Sequence, residues 1–305
     1  MPRLYHTHDD AYFFTISYTT YPQRITMSKT FSSPPPEVPD TILSSPVPHV
    51  LLVTLNRPEQ LNALRREMHY RLDELWKWFD AEPSLRCAVI TGKGRAFCAG
   101  ADLKEWDKRN NGEGESLDGT KQEVWNDAGF GGLSNRRGKK PVIAAVNGLC
   151  LGGGMEMVIN VDMIIADKGA KFGLPEVKRG VVAIAGALPR LPKLVGRTRA
   201  SEMALTGRMY TAEQMESWGV VNKVVEQGVV EEALKVAEEV AGNSPDSVIV
   251  SREGLLGAWE GEGVKESTER VDKGIYQKML AAENMKEGVL SFVEKRKPVW
   301  KDSKL

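Results

Sequence analysis

Short apolar runs alternate with longer stretches of helical period along most of this chain. Val50-Leu51-Leu52-Val53-Thr54-Leu55 predicts a strand buried on both faces. Asn56-Arg57-Pro58 interrupts it. Leu61, Leu64, Met68, Leu72, Leu75 and Phe79 then recur at spacings of 3 and 4, the apolar stripe of an amphipathic helix that Asn62 or a neighbour would cap. Further apolar runs at residues 86–91, 141–146, 161–166 and 220–225 predict strands, and residues 155–160 and 230–241 predict helices. From residue 264 to 297 the pattern is helical and highly charged. Strands alternating with helices, followed by helices alone, indicate an α/β core with a helical C-terminal region.

Two stretches depart from this pattern. Residues 1–46 scatter Tyr12, Phe13, Phe14, Tyr18 and Tyr21 without period, then run into Ser32-Ser33-Pro34-Pro35-Pro36 and Ser44-Ser45-Pro46. Such segments bury too little apolar surface to offset the entropy of ordering them, so disorder or an extension is expected. Met27 leaves the first 26 residues readable as an extension or a misassigned start. Residues 107–137 are polar and glycine-rich, which predicts a mobile loop with some helix around residues 122–126. The organisation expected is an extension over 1–46, an α/β core over 47–250 and a helical region over 251–302. Residues 303–305 form a separate terminal signal.

Charge narrows the function classes. Lys plus Arg and Asp plus Glu both number 41, so no basic excess points to nucleic acid. No uncharged run has the length of a membrane span. Cys87, Cys98 and Cys150 have neither a disulfide-scaffold density nor a metal-binding spacing, which suits a reducing intracellular compartment. The last three residues, Ser303-Lys304-Leu305, match the tripeptide read by the peroxisomal import receptor, which predicts that compartment.

The candidate chemistry centres on two carboxylates. Glu156 follows Gly152-Gly153-Gly154-Met155, and Glu176 follows Phe172-Gly173-Leu174-Pro175. If they share a pocket, one can take a proton from water while the other delivers one to carbon. Taken singly, Glu156 also reads as a complement to a helix dipole and Glu176 as a surface turn residue. The three glycines before a helix leave backbone N–H groups open to an anion or a developing oxyanion, or simply allow tight packing. Ala99-Gly100-Ala101-Asp102 offers a second such turn. No nucleotide-binding glycine loop is present. His6, His8, His49 and His69 add no catalytic motif, and Cys98 reads as a small buried residue.

In order along the chain, five motifs together resemble the crotonase superfamily of enoyl-CoA hydratases and isomerases. They are Asn56-Arg57-Pro58 with Asn62-Ala63-Leu64, the run Ala96-Phe97-Cys98-Ala99-Gly100-Ala101-Asp102-Leu103-Lys104, and Asn147-Gly148 leading to the triple glycine. Phe172 to Glu176 and the segment Phe292-Val293-Glu294-Lys295-Arg296-Lys297 complete the set. The resemblance implies a spiral of ββα turns with a helical C-terminal region, assembled as trimers or pairs of trimers. It implies an acyl-CoA thioester as substrate, with no cofactor or metal besides. Backbone N–H groups at Ala101 and Gly153 would hold the thioester oxygen, and Glu156 and Glu176 would be the catalytic acids. Asp102, Leu103 and Lys104 would line the coenzyme A site, while Phe292 and Lys295 would approach its nucleotide end, from this subunit or a neighbour.

Both glutamates being present favours hydration of a 2-enoyl-CoA, or the reverse dehydration. A Δ3,Δ2-isomerase, a branched acyl-CoA hydratase of a siderophore or other specialised pathway, and a non-catalytic acyl-CoA-binding protein are the alternatives. One departure stands out: Ile184 and Leu188 are bulkier than the family's usual choices in a segment expected to shape the acyl pocket.

Overall fold

A computed structural model describes residues 31–111 and 127–305. Among the described residues ten strands run in chain order: β1 (Thr41–Ser44), β2 (Val50–Leu55), β3 (Cys87–Gly92), β4 (Ala96–Cys98), β5 (Val142–Val146), β6 (Leu149–Leu151), β7 (Met163–Asp167), β8 (Lys171–Gly173), β9 (Met209–Thr211) and β10 (Lys223–Val225). They form a six-stranded sheet, β1-β2-β3-β5-β7-β10, and a four-stranded sheet, β4-β6-β8-β9. Only the outer pairs β1/β2 and β8/β9 are antiparallel. The chain steps from the large sheet to the small one at β3/β4, β5/β6 and β7/β8, and follows each step with a helix or helical turn. This is the spiral of ββα turns implied by the family resemblance.

Period 2 explains how the large sheet is covered. Leu51, Val53, Ala88, Ile90, Ala144 and Val146 face the main core. Val50, Cys87, Val89, Ile143, Ala145 and Ile165 face the other way, onto Val229, Ala233, Leu234 and Ala237 of the helix Val229–Ala241. Because both faces are buried, these strands read as unbroken apolar runs. The small sheet is harder to see in sequence, since each of its four strands has only three residues.

Several expectations need correction. The N-terminal extension does not reach residue 46: β1 pairs with β2, Val38 is buried, and Ser32 donates from its backbone and hydroxyl to Glu82 Oε2 at 2.8 and 2.6 Å. Prolines there stiffen a surface strap rather than prevent order. Residues 1–30 and the helix expected around residues 122–126 lie outside the described residues. The first helix is Arg66–Ala81, so Leu61 and Leu64 precede it and Asn62 does not cap it. Asn62 instead sits in the left-handed region and accepts from Arg57 N, while its amide donates to Lys93 O and Ala96 O.

The boundary expected at residues 250–251 cuts through the helix Pro245–Glu260. The real punctuation is Ser244-Pro245, where Ser244 Oγ accepts from Ser247 N. Residues 127–137, read as part of a mobile loop, are well packed: Phe130 and Leu133 join the main core. No helix among the described residues is long and apolar enough to cross a membrane.

Candidate active site

Two turns and two short helical segments converge on one cleft. Its walls include Ala101, Phe130, Gly153, Glu156, Glu176 and Val182. The first turn is fixed by a parallel bridge between Leu64 and Ala101. Leu64 N donates to Gly100 O at 2.9 Å and Asp102 N donates to Leu64 O at 3.0 Å. In that register the N–H of Ala101 faces away from Leu64, and it meets no acceptor among the described residues.

The second turn is the triple glycine, and each position has its own reason. Gly152 has φ +56° as it enters the helix Gly153–Ile159, and a Cβ there would lie 3.2 Å from Glu176 Oε1. A Cβ on Gly153 would fall 2.3 Å from the Phe130 ring, and one on Gly154 would fall 2.2 Å from Cys98 O. Gly153 N is the first amide of its helix, so it lacks an intrahelical acceptor. A Cβ built on Gly100 would be 3.2 Å from this same nitrogen, which places the two turns against each other.

Glu156 occupies the first turn of that helix and is 4% exposed. Burial pushes its carboxyl up to about 7; the N–H of Ala187, which donates to Oε1 at 3.3 Å, opposes the rise, and the charge of Glu176 adds to it. Glu176 lies in the 3₁₀ turn Pro175–Arg179, half-buried, and burial raises its carboxyl as well. Its Oε2 is buried without a hydrogen-bond partner. Two carboxyl groups with raised proton affinity beside two open N–H groups can take and give one proton next to a developing oxyanion.

The other sequence-derived candidates divide. Leu103 lines the cleft. Asp102 caps the helix Leu103–Asn110 and pairs with Arg57 at 3.0 Å, so it faces the scaffold rather than the cleft lining. Lys104 is exposed outside the lining. Phe292 is 85% exposed at the end of the helix Glu283–Val293, and Lys295 follows it; neither lines this cleft. Ile184 and Leu188 are exposed too, and Val181 and Val182 of the same segment reach the cleft instead.

Cys98 is buried with its thiol pushed up to about 12, which removes it as a nucleophile. His69 is buried and driven down to about 4, so it is neutral and accepts from Gly131 N at 3.0 Å. Sequence reading missed Phe130, Trp106 and Arg179 as cleft residues, and Ala187 as the Glu156 donor. Only Phe130 left a signal: with Leu133 it forms a 3-residue apolar spacing inside a glycine-rich stretch.

Comparison with known proteins agrees with this geometry. The family described as enoyl-CoA hydratase/isomerase matches residues 48–303. The chain is 65% identical to Mevalonyl-coenzyme A hydratase SIDH of Beauveria bassiana over 90% of this chain and 100% of that protein. It is 49% identical to Mevalonyl-coenzyme A hydratase sidH of Aspergillus fumigatus over 88% and 98%. The crystal structure of an enoyl-CoA hydratase from Mycobacterium tuberculosis superposes with a TM-score of 0.77 at 32% identity, covering 87% of this chain and all of that one. With its spiral fold, the chain belongs to the crotonase superfamily, the enoyl-CoA hydratase/isomerase family of lyases.

Proposed function

We propose that this protein is a hydratase acting on a branched acyl-CoA, interconverting mevalonyl-CoA and its conjugated enoyl thioester by loss or addition of water. The observation that carries the reaction is the meeting of Glu156 and Glu176 in one cleft beside the Ala101 and Gly153 amides. Near-full-length similarity to two mevalonyl-coenzyme A hydratases supports the substrate.

The geometry suits dehydration of a 3-hydroxyacyl thioester, and mevalonyl-CoA carries such a hydroxyl, with a methyl beside it on C3. The two N–H groups hold the thioester oxygen, so negative charge on C2 spreads onto an oxygen already solvated by aimed donors. One carboxylate removes a C2 proton. The other, protonated, gives its proton to the departing C3 hydroxyl, which leaves as water. The pair begins and ends with one proton, as two neighbouring carboxyl groups with raised proton affinity require. No metal and no separate cofactor enters this scheme; coenzyme A arrives as part of the substrate.

Asp102, Leu103 and Lys104 are proposed to border the coenzyme A path, with only Leu103 on the cleft wall and Asp102 acting from behind it. Exposed Val289, Leu290, Phe292 and Val293 support burial against further copies of the chain, as a trimer or hexamer, where Phe292 and Lys295 would meet a neighbour's coenzyme A. Ser303-Lys304-Leu305 is proposed as a peroxisomal address.

The test is product analysis by mass spectrometry with mevalonyl-CoA, a straight-chain 3-hydroxyacyl-CoA and a 3-enoyl-CoA. Water loss fastest from mevalonyl-CoA is expected. Turnover of the straight chain alone would remove the branched substrate, and double-bond migration without water exchange would favour an isomerase.

A further inference from the structure

Arg57 reaches both sides of the bridge that presents the Ala101 amide. Its Nη1 donates to Ala63 O at 2.6 Å and its Nη2 to Asp102 Oδ2 at 3.0 Å. Ala63 precedes Leu64 and Asp102 follows Ala101, so one guanidinium spans the two segments whose pairing aims the Ala101 N–H. Both side chains are mostly buried, at 13% and 14% exposure, where a charge-assisted bond is weakly screened. Burial works against the Asp102 charge, but the hydrogen bond and charge of Arg57, with the backbone N–H groups of Glu105 and Lys104, hold that carboxyl below its ordinary range. The Arg57 backbone is fixed in turn by Asn62, through bonds at 2.8 and 2.9 Å.

We infer that Arg57, acting through Asp102, is a positioning residue for the oxyanion-binding amide of Ala101. This rests on the hydratase reading. It differs from a coenzyme A contact because Arg57 lies behind the turn, outside the cleft lining. A planar fork is needed to bridge a carbonyl and a carboxylate at once, which lysine does not supply.

The test uses the conjugated enoyl-CoA product carrying carbon-13 at its thioester carbonyl, bound to the full chain and followed by difference infrared spectroscopy. On the wild-type protein the carbonyl stretch should fall on binding, reporting polarisation by the amides. Arg57→Gln and Asp102→Asn should each lose half or more of that fall. They should also lower kcat about 10- to 100-fold while KM changes less than about threefold. Arg57→Lys should recover part of the effect, and the double variant should be no worse than the poorer single one.

If both variants melt earlier yet keep the full shift and kcat, the inference is wrong. Should Arg57→Gln fail to fold, Asp102→Asn, which keeps the helix cap, decides the same question. A wild-type protein that shows no shift at all would instead remove the oxyanion reading.

At the far end of the chain the proposed address lies against the C-terminal helices. Ser303 Oγ donates to Asp246 Oδ1, and Asp246 is 2% exposed. Asn284 Nδ2 donates to the other oxygen of Asp246 at 2.9 Å and to Lys301 O at 3.0 Å. Lys304 pairs with Glu283 at 3.1 Å, and Lys139 Nζ donates to Leu305 O. Ser303 and Leu305 thus use polar groups against the fold, and Lys304 makes an ion pair on its surface.

We also infer that docking of this tail and its capture by an import receptor exclude each other, so the receptor reads a released minor state. The apparent affinity is then reduced by the released fraction. The full chain should bind the receptor's tripeptide-reading domain at least tenfold more weakly than a peptide of residues 297–305. Lys139→Ala and Glu283→Gln should narrow the gap and speed carboxypeptidase release of Leu305. Equal affinity of chain and peptide, with rapid digestion, would overturn the docking. A peptide that does not bind the receptor would overturn the address itself.

Discussion

Ala187 donates its backbone N–H to Glu156 Oε1 at 3.3 Å, so the first residue of one helix orients the buried carboxyl of another. That neutral donor, even with help from the Ala185 backbone and the charge of Arg190, does not offset burial, and the Glu156 carboxyl stays raised to about 7. Burial raises Glu176 as well, so the pair keeps a proton up to about pH 7. The rate kcat/KM should be bell-shaped, falling as pH rises through about 7 and the pair loses its last proton, and falling in acid as it gains a second. A profile that stays flat from about pH 5 to pH 9 would show that this pair does not move the proton.

The same shift has a stability consequence of definite sign. A carboxyl whose folded pKa is raised stabilises the fold below its unfolded pKa and loses that contribution as pH rises through about 7. Glu156→Gln removes the cost while leaving an acceptor for Ala187. Above neutral pH the variant should be more stable by about 1–3 kcal/mol, and near pH 4 it should match the wild type. Denaturant midpoints at the two pH values check this, and equal midpoints at both would contradict the burial argument.

Activity should move the other way. Glu156→Gln and Glu176→Gln are each expected to lower kcat about 100- to 10,000-fold, with binding of the acyl-CoA largely kept. Isothermal titration with a product thioester separates the two effects. A variant that retains water addition within about tenfold would take its glutamate out of the proton transfer.

Away from the site, Asp80 holds together a buried basic cluster. Its Oδ1 accepts from Arg136 Nη2 at 2.7 Å and from Lys140 N at 2.9 Å. Arg136 is 6% exposed, and burial lowers Lys140 to about 8. Asp80→Ala leaves Arg136 buried without its counter-charge, which should cost about 3–5 kcal/mol. Urea unfolding measures it, and a loss under about 1 kcal/mol would mean the cluster reorganises or hydrates.

The large sheet was legible because strands buried on both faces keep continuous apolar runs, as β2, β3 and β5 do. The small sheet was not, because β4, β6 and β8 have three residues each, too few for a period. The two glutamates were visible through the residues that precede them, a triple glycine and a proline. What brings them together was not visible. The contacts span Gly152 to Glu176 and Glu156 to Ala187, and no local pattern encodes contacts between segments so far apart. Asp102 shows the converse: its side chain bonds Arg57, a partner 45 residues away that the motif around it does not reveal.

Phe130 and Gly153 fit so closely that a change in one should be answered by a change in the other. A Cβ on Gly153 would lie 2.3–2.4 Å from three atoms of the Phe130 ring, well inside van der Waals contact. The ring cannot withdraw freely, since it packs edge-on against His69 at 4.5 Å and sits in the core. Gly153→Ala should therefore push the helix start, and with it the Gly153 amide, off its aim, lowering kcat about 100-fold and stability by about 1–3 kcal/mol. Phe130→Leu alone leaves a cavity and should cost stability with a smaller effect on kcat. In the double variant the smaller side chain makes room for the new methyl, so kcat should recover at least tenfold over Gly153→Ala. Additive losses in that cycle would mean the alanine acts through the helix backbone and not through the ring.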